Sequence, residues 1–220
     1  MPDEREVTEP PAAAEPKERA DWIEWVQVIV LAFVTVATAW SGYQAARWSG
    51  IQARNYAQAS TARALANRVS TLGGQERIQD LLNFNRWLEA STAGNTQLAD
   101  LYERRFRDEF RPAFERWLAD DPLHNVNAIP SPLREKNYVL ANAVKADKLE
   151  TLGDLRFEQG KAATEHSDDY VFITVFFAVV LFFGGISLRF AWTPMRLLIL
   201  LMGAGLLIYG AIRISTLPAL

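Results

Sequence analysis

From Trp25 to Ala46 the chain carries no charged residue, and from Arg47 to Val69 it continues with no proline and no turn cluster, dominated by Ala, Gln, Arg and Asn. At a rise of about 1.5 Å per residue the uncharged run covers a hydrocarbon core of roughly 30 Å. The continuation has good helix propensity and too little apolar bulk to be a second span. One helix must therefore start in a membrane and carry on into water. Trp22 and Trp25 mark one headgroup level and Trp40, Tyr43 and Trp48 the other, where amphipathic rings are preferred.

Two further stretches have the same character. Tyr170 to Leu188 is uncharged and directly follows a helical pattern beginning near Glu135. A third lies between Arg196 and Arg213, short for a bilayer but extended by Met195 and by arginines that can snorkel. Thr193-Pro194 reads as its N-cap and first helical residue. The pattern predicts a tail over 1–21, a first span over 22–46, a helical domain over 47–169, a second span over 170–189, a loop over 190–195, a third span over 196–213 and a tail over 214–220.

Small residues recur every seven positions along the first extension, at Ala39, Ala46, Ala53, Ser60 and Asn67, with Gly50, Ala57 and Ala64 alternating between them. A second set, Ala146, Gly153, Gly160 and Ser167, has the same spacing and leads into the second span. These seams predict an antiparallel pair in which Ala46, Ala53 and Ser60 face Ser167, Gly160 and Gly153. On that pairing a cysteine at Ala53 crosslinks to one at Gly160, Gly160→Leu is harmful and Gly160→Ala is mild.

Within the domain, Gly73-Gly74 and Gly94-Asn95 read as turns. Between them Ile78, Leu81, Leu82, Trp87 and Leu88 form an apolar stripe. From Thr96 to Leu118 a helix is expected, with Leu98, Tyr102, Phe106, Phe110, Phe114 and Leu118 four apart as a core ladder and a kink near Asp108 to Arg111 caused by Pro112. Arg104, Arg105, Arg107, Arg111 and Arg116, interleaved with Glu103, Asp108, Glu109 and Glu115, read as a solvated face laced with ion pairs. Asp120 to Pro132, with three prolines, is an extended loop. The expected fold is an all-α membrane protein, with a four-helix, up-down bundle between the first and second of three transmembrane helices.

Composition narrows the chemistry. The chain is 220 residues with a net charge of -3, which argues against nucleic-acid binding. It has no cysteine, which removes disulfides, thiol chemistry and cysteine-ligated zinc. Of the two histidines, His166 has Asp168 and Asp169 beside it, a set read as solvated side chains and not as a metal site. No nucleophile, metalloprotease, phosphate-loop or dinucleotide motif is present, so no catalytic residue, cofactor or metal is assigned and a non-enzymatic protein is expected. The acidic, proline-rich Met1 to Ala20 predicts a disordered tail and no cleavable signal peptide.

Three segments resemble those of uncharacterised bacterial inner-membrane proteins with three transmembrane helices and a helical domain between the first and second. They are Ala37-Thr38-Ala39-Trp40-Ser41-Gly42-Tyr43-Gln44-Ala45-Ala46-Arg47-Trp48, Phe110-Arg111-Pro112-Ala113-Phe114 within Phe106 to Leu118, and Leu181-Phe182-Phe183-Gly184-Gly185-Ile186-Ser187. The resemblance covers about residues 25 to 215 and implies a bacterial inner-membrane location, no assigned activity and no catalytic residue to carry over.

The spans hold no ionised residue between their interfaces, which leaves a proton relay or ion-coupled transporter without its usual parts. Thr35, Thr38 and Ser41, Gly184, Gly185 and Ser187, and Gly203 and Gly205 suit close helix contacts, within one protomer or between protomers. The expected partners are the lipid bilayer and a membrane protein or further copies of the chain. The expected role is a scaffold, sensor-like or accessory subunit, with an oligomeric pore or transport-complex subunit, formed around Thr35, Thr38 and Ser41, as the alternative. Arg5, Lys17, Arg19, Arg189 and Arg196 outnumber Arg213 across the membrane, which puts the N-terminal tail in the cytoplasm and the helical domain outside it. Alkaline phosphatase fused near Asn125 is therefore expected to be active, and an inactive fusion reverses the orientation.

Overall fold

The computed structural model describes residues 21–187 and 193–220, all helix, turn and loop. The expected disordered tail and most of the loop over 190–195 lie outside the described residues. The elements are α1 (Asp21–Thr92), α2 (Thr96–Glu103), α3 (Arg111–Ala119), a 3₁₀ turn (Pro132–Arg134), α4 (Ala141–Ser187) and α5 (Thr193–Thr216). Three of them contain stretches long and apolar enough to cross a membrane: α1, α4 and α5. The chain divides into two compact units, one formed by residues up to Trp48 together with Glu165–Leu220, the other by Ser49–Thr164.

The first unit has its polarity inside out. Gln27, Ser41, Gln44 and Ser187 are buried, while Trp25, Phe33, Val36, Phe172, Phe182, Leu201 and Ile208 are exposed. That is the arrangement hydrocarbon requires, because inward polar groups must find partners and outward ones must be apolar. Val34, Ile173, Phe177 and Val180 form its core, with Leu206 and Leu207 of α5 against it. Glycines set the approach of its helices. A Cβ at Gly184 would lie 2.5 Å from Leu31 Cδ2, and one at Gly210 2.5 Å from Phe177 Cε1, whereas Gly185 and Gly205 face open space.

In the second unit α1 does not turn at Gly73-Gly74, and this overturns the four-helix bundle. α1 is one helix of 72 residues, and between the first two spans only α2 and α3 are added as short helices. Gly73 is buried, and a Cβ there would meet the Ala143 backbone nitrogen at 3.4 Å. The glycine serves close contact with the start of α4, which offsets its propensity cost of about 1 kcal/mol in a helix interior. The turn expected at Gly94-Asn95 is present. Gly94 takes φ +72, the Asn95 N–H bonds the Ala90 carbonyl at 2.9 Å, and the Asn95 side chain caps α2 by accepting from Leu98 N–H.

The expected helix from Thr96 to Leu118 is two helices. Pro112 lacks the N–H that a continuous helix would direct at Asp108, so the chain turns over residues 104–110 and restarts at Arg111 with the proline in the first turn. Arg111 then donates to the carbonyls of Phe106 and Arg104, which α2 leaves free. Phe106, Phe110 and Phe114 are buried as expected, but Leu98 and Leu118 are exposed. The core is an aromatic cluster in which Phe84 and Trp87 of α1 meet Phe110, Phe114 and Trp117, largely edge to face. The stripe expected at Ile78, Leu81 and Leu82 points outward instead, and Asp80, Phe84 and Trp87 take the buried face. The returning helix begins at Ala141, not near Glu135, after the 3₁₀ turn.

Along α1 the inward face repeats every seven residues at Leu31, Thr38, Ala45, Gln52, Ala59, Ala66, Gly73, Asp80 and Trp87. On α4 it repeats at Ala146, Gly153, Gly160 and Ser167, all buried. A Cβ at Gly160 would lie 2.6 Å from Tyr56 Cδ1, in a ring that contacts Phe157 at 5.4 Å between centroids and whose hydroxyl is 3.3 Å from the Thr164 hydroxyl. A Cβ at Gly153 would meet Arg63 Cγ at 2.9 Å, on a flexible side chain. The ring must shift to admit a methyl group, so Gly160→Ala is expected to be felt where the seam spacing alone suggests a mild effect. It is expected to cost more than Gly153→Ala, and Gly160→Leu roughly 1 to 3 kcal/mol, the usual cost of overpacking. Thermal melts of the three variants in detergent check the order, and equal melting for both alanine variants would refute it.

Candidate functional site

Of the six residues expected at the seam, the structure brings Gly153, Gly160 and Ser167 to the helix contact and leaves Ala46, Ala53 and Ser60 exposed. Their places are taken by neighbours in the adjacent register. The Ser167 hydroxyl donates to the Ala45 carbonyl at 3.1 Å, Tyr56 covers Gly160, and Ala59 and Ala62 lie against Gly153. A shallow groove of about 480 Å³ runs beside this contact, lined by Tyr56, Ala59, Ser60, Arg63, Asn67 and Phe157 among others. Arg63 is already paired there, at 2.8 Å from Asp154 and 5.0 Å from the Phe157 ring centroid.

The sharpest concentration of charge lies elsewhere in the second unit. Asp80 occupies the inward heptad position between Gly73 and Trp87, so its carboxylate is carried into the helix contact and is 1% exposed. Arg107, from the turn between α2 and α3, donates through Nη1 to Asp80 Oδ2 at 3.1 Å. The Tyr138 hydroxyl donates to the same oxygen at 3.0 Å. The other arm of Arg107 contacts Glu109, and lies 3.4 Å from Glu76. Glu76 in turn accepts from Asn142 at 2.8 Å. Arg77 stacks over the Tyr138 ring at 5.8 Å. Arg107, read from sequence as part of a solvated face, is thus the centre of a largely buried ion network.

Burial pushes the Asp80 carboxyl above its ordinary range, and the Tyr138 hydrogen bond and the Arg107 guanidinium pull it back only in part. Burial, together with the bond to Asp80, also raises the Tyr138 phenol. A carboxylic acid displaced in this way is the raw material of acid-base chemistry. Here it is covered on every side that the described residues occupy, and the groove lies against different residues. What the arrangement does is tie α1 to the turn over 104–110 and to Tyr138, just ahead of α4.

The histidines stand apart from this network. His124 bonds Asp121 at 2.9 Å on the surface, and the His166 ring lies 4.6 Å from that of Trp48. Asp169 is engaged by Arg213 at 3.0 Å, and Asp168 is exposed. Among the described residues no group of three or more acidic or histidine side chains is placed to hold a metal ion. Of the hydroxyl stripe in the first span, Thr35 and Thr38 bond the carbonyls of Leu31 and Val34 in their own helix, and Ser41 is fully buried. Sequence reasoning missed Asp80, Tyr138 and the role of Arg107. The available signal was an acid, Asp80, seven residues beyond a glycine and seven before a tryptophan on one helix face, with Glu76 one turn before it. No family model, curated protein or solved structure matches the chain.

Removing one member of a buried ion pair strands the other, so Arg107→Ala is expected to cost about 3 to 5 kcal/mol, and Asp80→Asn less. The folded chain holds the Asp80 proton more tightly than the unfolded chain, whose carboxyl titrates near its ordinary 3.8. Asp80 thus favours folding most below that pH, and the contribution falls as pH rises through the higher folded value. The stability of the natural chain relative to Asp80→Asn should decline across that window in urea melts at stepped pH. A difference that stays flat would refute it.

Proposed function

We propose that the chain is a non-enzymatic, multi-pass protein of the bacterial inner membrane that acts through protein partners, as a scaffold, a sensor-like component or an accessory subunit. Its N-terminal tail is cytoplasmic and residues 47–169 are extracytoplasmic. The observation that carries this reading is the continuity of α1 and α4. Each runs as one helix from an apolar stretch into Ser49–Thr164. Helices of that kind pass small axial or rotational shifts from one end to the other.

A second feature supports an interaction role. Away from its buried heptad positions α1 carries an exposed uncharged strip of Ala53, Ala57, Ser60, Ala64, Asn67, Thr71, Gly74 and Ile78, bordered by Arg54 and Arg68 and followed by Leu82, with Ile78 and Leu82 more than half exposed. A helix surface in water normally carries charge on such a face. The pore alternative draws less support, since it asks Ser41 to line a path between protomers and that side chain is enclosed within one.

Native mass spectrometry of the gently solubilised protein is expected to show an assembly of defined stoichiometry, homomeric or with a second membrane protein. Ile78→Glu with Leu82→Glu, both exposed, should dissolve that assembly and leave the melting of the chain unchanged. A protein that is monomeric under every mild extraction would overturn the reading.

A further inference from the structure

Gln44 is fully buried on α1 although its side chain has two hydrogen-bonding ends. Both are spent on one residue. Its Nε2 donates to the Leu220 carbonyl oxygen at 3.2 Å, and its Oε1 accepts from the Leu220 N–H at 3.1 Å. Two residues earlier, the Pro218 carbonyl accepts from the Trp48 indole N–H at 3.0 Å and from the Tyr170 hydroxyl at 3.4 Å. Every one of these bonds reaches the main chain of residues 218–220, and none reaches a side chain. Leu217, where the segment leaves α5, packs against the core of the first unit.

Burial is divided unequally across this contact. Gln44 and Tyr170 are 0% exposed, yet Leu220 above them is 42% exposed, and Pro218 and Ala219 are exposed as well. The segment therefore gains little from apolar burial, and hydrogen bonds made by buried groups hold it in place. Proline suits position 218, because a residue recognised only through its carbonyl has no use for an N–H and the ring limits the freedom lost on binding. An empty site would leave a buried amide without partners, which is costly in apolar surroundings.

We propose that Gln44, Trp48 and Tyr170 form a peptide-binding site that reads the main chain of an extended segment, and that residues 217–220 are its tethered and displaceable ligand. The ligand class is a short apolar peptide with a prolyl carbonyl two residues ahead of a residue offering both N–H and C=O. In place, the segment straps α5 to α1 and α4. Tethering gives it an effective concentration on the order of millimolar, so a free peptide must be supplied at that level to compete.

The chain has no cysteine, so a nitroxide attached to Ala219→Cys in the otherwise intact protein reports the strap alone. In detergent micelles the label is expected to show an immobilised component. Gln44→Met, similar in length and unable to bond, should abolish it. An amidated Ser-Thr-Leu-Pro-Ala-Leu peptide at millimolar concentration should also release the label, and the same peptide N-methylated at its last leucine should not. Trp48→Phe removes one donor and keeps a ring, and its partial release covers the case in which Gln44→Met does not fold. A label that stays immobilised in both variants overturns the proposal, and so does one that no free peptide displaces, which would make the segment a permanent part of the fold.

Discussion

A helix that begins in hydrocarbon and ends in water has to keep one face against a neighbour in two solvents that reward burial differently. In water, burying apolar surface drives association; in lipid it does not, and close contact with internal hydrogen bonds must serve instead. α4 carries small inward residues every seven positions at Ala146, Gly153, Gly160 and Ser167, and glycine outside that register serves the same purpose among apolar side chains. Close contact is made by Gly184 against Leu31 in the first unit, and by Gly160 against Tyr56 and Gly153 against Arg63 in the second. Most other features of the two units follow from which face these contacts turn inward.

Once the face is chosen, its polar groups are satisfied in part, with Gln27 Oε1, Ser41 Oγ and Asp80 Oδ1 lacking a hydrogen-bond partner among the described residues. In the first unit Gln27 donates to the Gly184 carbonyl and the Ser187 hydroxyl, and Ser167 donates to the Ala45 carbonyl. In the second unit the same helix brings Asp80 inward, and Arg107 and Tyr138 meet it from segments that have little regular structure of their own. The short helices α2 and α3 are held between this ion network and the aromatic cluster around Phe110. A buried ion network is a weak source of net stability, since desolvation offsets much of the attraction, but it penalises any arrangement in which Asp80 lacks its partners. It therefore selects one docking of the turn over 104–110 on α1.

Continuity is the property on which the proposed role rests. A glycine pair inside a helix is an obvious place for a bend, yet Gly73 is occupied in close contact with the start of α4 and the helix passes through it. The exposed strip from Ala53 to Ile78 on α1, bordered by Arg54 and Arg68, carries less charge than the α4 surface, where Lys145, Lys148, Asp154 and Glu158 are exposed.

Much of this was legible in the residues. Three uncharged stretches between charged flanks dictate three apolar helices, because ionised side chains are expensive in hydrocarbon. The Ala146, Gly153, Gly160 and Ser167 repeat marks a contact face, since glycine is disfavoured in an exposed helix. The turn at Gly94 follows from a positive φ, whereas the missing N–H of Pro112 reads as a kink and only the structure shows two helices. Tertiary structure decided the register of α1. Alanine is frequent on several of its faces, so Ala46, Ala53 and Ser60 were as eligible by size as Ala45 and Ala59. The choice rests on side chains far apart in sequence, among them Gln44, Asp80 and Trp87, whose partners lie on other segments. For the same reason Gly73-Gly74 reads as a turn in isolation and as a close-contact point in the fold, because what a glycine permits depends on what approaches it.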